Sequence, residues 1–90
     1  MHRRICHFTG RVQGVGFRYT VQNIAQQYAV AGYVKNLPDG RVELVMEGPD
    51  SEMDHLMDQV KNKMDGFIRG VDLNEGDATG EFAHFSVKHG

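Results

Sequence analysis

The chain has little cysteine, little proline, no tryptophan and no long apolar run. Among its 90 residues there are one cysteine and two prolines. A lone cysteine excludes an intrachain disulfide and a thiolate metal cluster. Cys6 is therefore expected as a small buried apolar residue in the first strand. The five histidines show no metal-ligand spacing, so no metal and no cofactor are expected. No segment reaches the roughly 20 apolar residues that cross a bilayer. Met1-His2-Arg3-Arg4-Ile5-Cys6-His7-Phe8 also lacks the apolar run of a signal peptide. A cytoplasmic protein without membrane contact is expected. Net charge is −2, whereas nucleic-acid-binding domains are usually strongly basic, so nucleic acid is not expected as a partner.

What is present fits one domain over residues 1–90, with a single core and shallow surface sites. No repeat, linker or low-complexity segment interrupts it. A monomer is expected, because no long exposed apolar run marks an interface.

Arg3 to Thr9 reads as a strand, and Gly10-Arg11-Val12-Gln13-Gly14-Val15-Gly16 as a glycine-rich loop. Phe17, Val21, Ile24, Ala25 and Tyr28 share one face of a helix that should end near Ala29 to Gly32. Gly32 to Leu37 reads as a second strand, Pro38-Asp39-Gly40 as a turn, and Arg41 to Glu47 as an alternating third strand. Asp50 or Ser51 should cap a second helix whose apolar stripe is Met53, Leu56, Met57, Val60 and Met64. A methionine stripe at this spacing is core packing. Phe67 to Glu75 looks extended, and Glu81 to Lys88 is a final strand.

The order β-α-β-β-α-β, with one extra strand possible, is the ferredoxin-like split βαβ pattern of the α+β class. It predicts an antiparallel sheet with two helices on one face. A right-handed crossover makes strands one and two parallel, with the third inserted between them. The glycine loop and Asn36 then leave the same edge of the sheet, roughly 10 Å apart.

Gly10, Gly14 and Gly16 free the backbone to turn N–H groups inward, as an oxyanion nest requires. No Ser, Thr, Asp or Asn stands in Gly10 to Arg18, so the helix that follows lacks its usual side-chain cap. An anion could take that place, and Arg18 in the first turn adds a planar fork of donors suited to phosphate. The plainer alternative is a structural turn followed by a solvated arginine. Three glycines, a missing cap and a first-turn arginine together favour the anion. The nucleotide P-loop, the dinucleotide fingerprint and the Cys-x5-Arg phosphatase loop all fail to fit. Asn36 alone would be only a turn initiator, and its convergence with the loop is what singles it out. Arg11, Lys35 and Arg41 are candidate rim charges with solvation as the default.

Gly10-Arg11-Val12-Gln13-Gly14-Val15-Gly16-Phe17-Arg18, followed by Gly32-Tyr33-Val34-Lys35-Asn36-Leu37-Pro38-Asp39-Gly40, closely resembles the acylphosphatase family. The resemblance covers essentially the whole chain and implies hydrolysis of carboxyl phosphates such as acetyl phosphate and 1,3-bisphosphoglycerate. It implies Arg18 as the phosphate-binding arginine and Asn36 as the residue that places the attacking water. The loop Gln13, Gly14, Val15, Gly16 and Phe17 would wrap the phosphate. The final Phe85-Ser86-Val87-Lys88-His89-Gly90 departs from the basic–aromatic ending of many members.

Such a reaction needs no general acid, since a carboxylate with a pKa of about 4 to 5 leaves unaided. No general base is evident, so a phosphate oxygen is expected to take the proton of the water. A site that grips mainly phosphate also predicts low selectivity for the acyl part. Two rivals stand beside this hydrolase: a non-catalytic small-anion or RNA-binding module of the same fold, and a maturation domain from a larger carbamoyl-transfer protein. In the first, Gly14 to Tyr19 would imitate part of an RNA-binding signature, whose aromatics must sit on a sheet face.

Overall fold

In the computed structural model, which describes residues 1–89, seven elements follow one another. They are β1 (His2–Gly10), α1 (Phe17–Ala25), β2 (Ala31–Asn36), β3 (Val42–Gly48), α2 (Asp50–Lys63), β4 (Ile68–Asp77) and β5 (Phe85–Lys88). The sheet order is β4-β1-β3-β2-β5. β3 lies between β1 and β2 and runs antiparallel to both, so those two strands point the same way. That is the expected arrangement.

Strand alternation sorts the two faces of the sheet. Cys6 and Phe8 of β1, Val34 of β2, and Val42, Leu44 and Met46 of β3 turn to one face and are fully buried. Against them pack Phe17, Val21 and Ile24 of α1, with Met53, Leu56 and Val60 of α2. Each large side chain buried in this way contributes about 1.5–3 kcal/mol. The Cys6 thiol lies 3.9 Å from the Met57 sulfur, and burial pushes its pKa up to about 11. Such a thiol is inert at neutral pH, and Cys6 serves as the small apolar residue expected.

Residues 78–84 cross the opposite face and close it over Val45. Glu47 accepts from the Thr79 and Gly80 backbone N–H groups at 2.9 and 3.0 Å, and Phe82 meets the Tyr33 ring edge-on. This crossing corrects the expectation of an antiparallel sheet, since β5 runs parallel to β2. β4 and β5 are the two edge strands, four spacings or roughly 19 Å apart. Eight residue steps from Asp77 to Phe85 reach at most about 28 Å. The chain can span the sheet but cannot also run back down its length. β5 therefore starts at the end where β2 starts.

Three boundaries also differ from expectation. α1 ends at Ala25, and Tyr28 falls in the turn after it, half-buried. α2 begins at Asp50, preceded by Pro49 at the cap position with no side-chain cap bond, so neither Asp50 nor Ser51 caps it. The final strand is confined to Phe85–Lys88, because Glu81 to His84 belong to the crossing segment.

Gly32 fixes how closely β2 approaches β3. Its φ is 141°, and a Cβ there would stand 1.9 Å from the Val45 carbonyl oxygen. Gly32→Ala is expected to cost at least about 2 kcal/mol, read as a lowered midpoint in urea unfolding.

Candidate functional site

The loop after β1 and the last residue of β2 face one small hollow at the end of the sheet. Val12, Gly14, Gly16 and Phe17 line it from the loop, Arg18 and Tyr19 from the first turn of α1, and Asn36 from β2. Its volume is about 100 Å³. Pockets for drug-sized ligands run to roughly 300–1,000 Å³, so this one suits a single small anion.

Gly14 and Gly16 have φ of 76° and 77°, while Val15 between them is not in the positive region. Alternating signs of φ turn successive N–H groups toward one side, which is the backbone pattern of an anion nest. A Cβ at either glycine would meet nothing within 4 Å, so their role is conformational rather than steric. Among the described residues, no backbone carbonyl accepts from the N–H groups of residues 13–16. The first bond closing α1 runs from the Thr20 N–H to the Gly16 carbonyl at 3.0 Å, and Gly16 offers no side-chain cap. The N–H groups of the first helical turn are therefore unused, at the positive end of the helix dipole.

Arg18 is half-buried at the rim of this nest. Its Nη1 donates to the Lys88 carbonyl at 3.2 Å and lies 3.4 Å from His89 Nδ1. The guanidinium is thus moored at one corner by the end of β5. No carboxylate stands within 4 Å of it among the described residues. Across the hollow, Asn36 ends β2 opposite Val42. Its side-chain Oδ1 is buried and has no hydrogen-bond partner among the described residues. A buried acceptor left unpaired is uncommon and calls for an explanation.

Of the residues expected from sequence, Gly14, Gly16, Phe17, Arg18 and Asn36 meet at the hollow, whereas Gln13 and Val15 do not line it. Val15 packs against the edge of the core. Gln13 is a strut: its Nε2 donates to the Leu37 carbonyl at 2.8 Å and to the Arg41 carbonyl at 3.0 Å. The amide thereby ties the glycine loop to both sides of the β2–β3 turn. Nothing in the sequence marks that reach, and nothing marked Val12, Tyr19 or the Lys88 carbonyl either.

The rim charges separate. Arg41 is held by Asp39, whose Oδ2 lies 2.7 Å from its Nε. The Arg41 backbone N–H and guanidinium together keep the Asp39 carboxyl below its ordinary pKa. Lys35 pairs in register with Glu43, on the sheet face away from the helices. Phe17 is 2 % exposed and lies in α1, so it is not the sheet-face aromatic of an RNA-binding surface.

The lining contains no carboxylate, imidazole or thiol. Among the described residues, no group of three or more His, Cys, Asp or Glu side chains could hold a metal ion. The hollow can bind and orient, with donors for a phosphate on one wall and a neutral amide on the other.

Gln13→Leu is expected to cost about 1 kcal/mol, because the Leu37 and Arg41 carbonyls keep other backbone donors. It should also speed amide hydrogen exchange over residues 13–17, which hydrogen-exchange mass spectrometry would show.

A family model described as acylphosphatase matches residues 5–87. An acylphosphatase of Lactobacillus gasseri is 43% identical over 81 residues, covering 88% of this chain and 89% of its own. The crystal structure of acylphosphatase from Bacillus subtilis superposes with a TM-score of 0.87 at 35% identity, covering 98% and 99% of the two chains. HypF from T. kodakarensis shares the fold at a TM-score of 0.83 and 32% identity, covering 98% of this chain but 12% of that one.

Proposed function

We propose that this chain, which belongs to the acylphosphatase family and hydrolyses acyl phosphates, divides the reaction between its two converging segments. The backbone of Gln13 to Phe17 and the guanidinium of Arg18 hold the phosphoryl group. Asn36 holds the attacking water. One observation carries this reading: the buried, unpartnered Asn36 Oδ1 shares a hollow with a row of unused N–H donors and Arg18.

Water donates one hydrogen to Asn36 Oδ1, which turns an oxygen lone pair toward phosphorus. As the new P–O bond forms, the bond to the acyl oxygen breaks and a carboxylate departs. Its pKa of about 4 to 5 makes it a good leaving group without a proton donor. With no carboxylate or imidazole in the lining to accept a proton, a non-bridging phosphate oxygen takes the proton of the water. Orthophosphate and carboxylate are the products. Charge on the equatorial oxygens is balanced by Arg18 and the loop amides, so catalysis is positioning plus electrostatic stabilisation. This proposal includes a monomer of one domain over residues 1–90, acting in the cytoplasm without a metal and without nucleic acid. No helix among the described residues is long and apolar enough to cross a membrane.

Benzoyl phosphate hydrolysis in the presence of chelator tests both roles. Arg18→Gln is expected to remove nearly all turnover and to weaken competitive inhibition by orthophosphate. An Arg18→Gln variant that keeps half the activity would overturn the assignment. Asn36→Ala is expected to lower kcat by at least about 100-fold with little change in KM, the split of an interaction made mainly in the transition state. A normal kcat would leave Asn36 with its turn role alone.

A further inference from the structure

The six arginines fall into two sets. Arg3 pairs with Glu47 and Glu81, Arg4 with Asp50, Asp54 and Glu75, and Arg41 with Asp39. Arg11, Arg18 and Arg69 have no carboxylate within 4 Å among the described residues. All three stand at one end of the sheet: Arg11 just past β1, Arg18 in the first turn of α1, and Arg69 as the second residue of β4. In a chain whose net charge is −2, this gathers the uncompensated guanidinium charge where the phosphate cradle lies.

Arg18 belongs to the cradle. Arg11 and Arg69 instead line a second, wider hollow of about 480 Å³ with Thr9 and Gly10. Arg11 directly precedes Val12, which lines the cradle, so the two hollows open off one loop. Arg11 is also anchored. Its N–H donates to the Phe67 carbonyl at 2.8 Å, and its guanidinium lies 5.9 Å from the centre of the Phe67 ring. Phe67 is two residues before Arg69, so the contact holds Arg11 beside the start of β4, and both arginines line the same hollow.

We infer that Arg11 and Arg69 form a subsite for a second anionic group, so that the preferred substrates are acyl phosphates whose acyl part is itself negatively charged. The subsite rests on the reading of the neighbouring cradle as the phosphoryl site. Two planar donor forks match a carboxylate, and no acidic group among the described residues occupies them. Both arginines are exposed, so the gain is moderate and is screened by salt. The subsite gives the protein a selectivity for the acyl part that the cradle alone does not supply.

The test compares kcat/KM for succinyl phosphate, which carries a second carboxylate, with that for acetyl phosphate, which does not. It uses the wild-type chain and the double variant Arg11→Gln/Arg69→Gln at low ionic strength. The succinyl-to-acetyl ratio is expected to fall about threefold or more in the variant, and a smaller fall overturns the subsite. Acetyl phosphate serves as the internal reference: wild-type protein that fails to hydrolyse it would refute the phosphoryl site itself, a different outcome. If the double variant does not fold, Arg69→Gln alone decides by the same threshold.

Discussion

The placement of β3 between β1 and β2 governs the rest of the site. Because β3 is antiparallel to both neighbours, the glycine loop and Asn36 leave the same end of the sheet, two strand spacings or roughly 10 Å apart. That gap is bridged by one side chain. The Gln13 amide spans from the loop to the carbonyls of Leu37 and Arg41, on the two sides of the turn that follows Asn36. The sheet sets the distance between the segments, and the strut sets their orientation. A reaction whose demands are mainly geometric is served by rigidity of this kind.

Electrostatics explain why the acidic groups of β3 do no harm to an anion site. Glu43 and Glu47 both face away from the helices. Burial alone would raise their pKa values, yet hydrogen bonds outweigh it and hold both below the ordinary carboxylate range. Glu43 accepts from Tyr33 at 2.6 Å and is bonded to His7, and Glu47 is fixed by Thr79, Gly80 and the nearby Arg3. Burial and the bond to Glu43 push the Tyr33 hydroxyl up to about 12, so it stays protonated and keeps donating. These charges are consumed on the far face. The cradle is left with N–H donors, one arginine and the neutral Asn36, where an aspartate would repel a dianion.

Much of this was legible in the sequence, for local reasons. The apolar stripe of α2 and the apolar positions of β3 report which residues face the core. Met53, Leu56, Met57, Val60 and Met64, with Val42, Leu44 and Met46, are all buried; the burial of Val45 and Glu47 on the other face of β3 was not foreseen. The glycine loop was readable because Gly14 and Gly16 must adopt positive φ and because the missing cap residue is a local fact. The convergence of Arg18 and Asn36 followed from handedness. What escaped depends on contacts distant in sequence. The direction of β5 is set by the length of the segment crossing from β4, and no alternation in Phe85–Lys88 encodes it. Gln13 reads as one more polar loop residue, since only the folded hairpin shows which carbonyls it reaches. Tyr28 reads as helical because the apolar spacing continues into the turn that follows α1, which ends at Ala25.

The same distant strand explains how a flexible arginine becomes a fixed part of the cradle. An arginine side chain carries about 2 kcal/mol of rotamer entropy, which binding would otherwise have to remove. Here β5 removes part of it beforehand, since the Lys88 carbonyl accepts from Nη1 of Arg18. The position of that carbonyl is itself fixed. Lys88 pairs in register with Lys35, its ammonium lies 4.2 Å from the centre of the Tyr33 ring, and Tyr33 is bonded to Glu43. The network on the face away from the helices therefore reaches the candidate site through one strand. It holds Arg18 by a corner and leaves the rest of the planar fork without a carboxylate partner among the described residues, which is preorganisation for the anion proposed above.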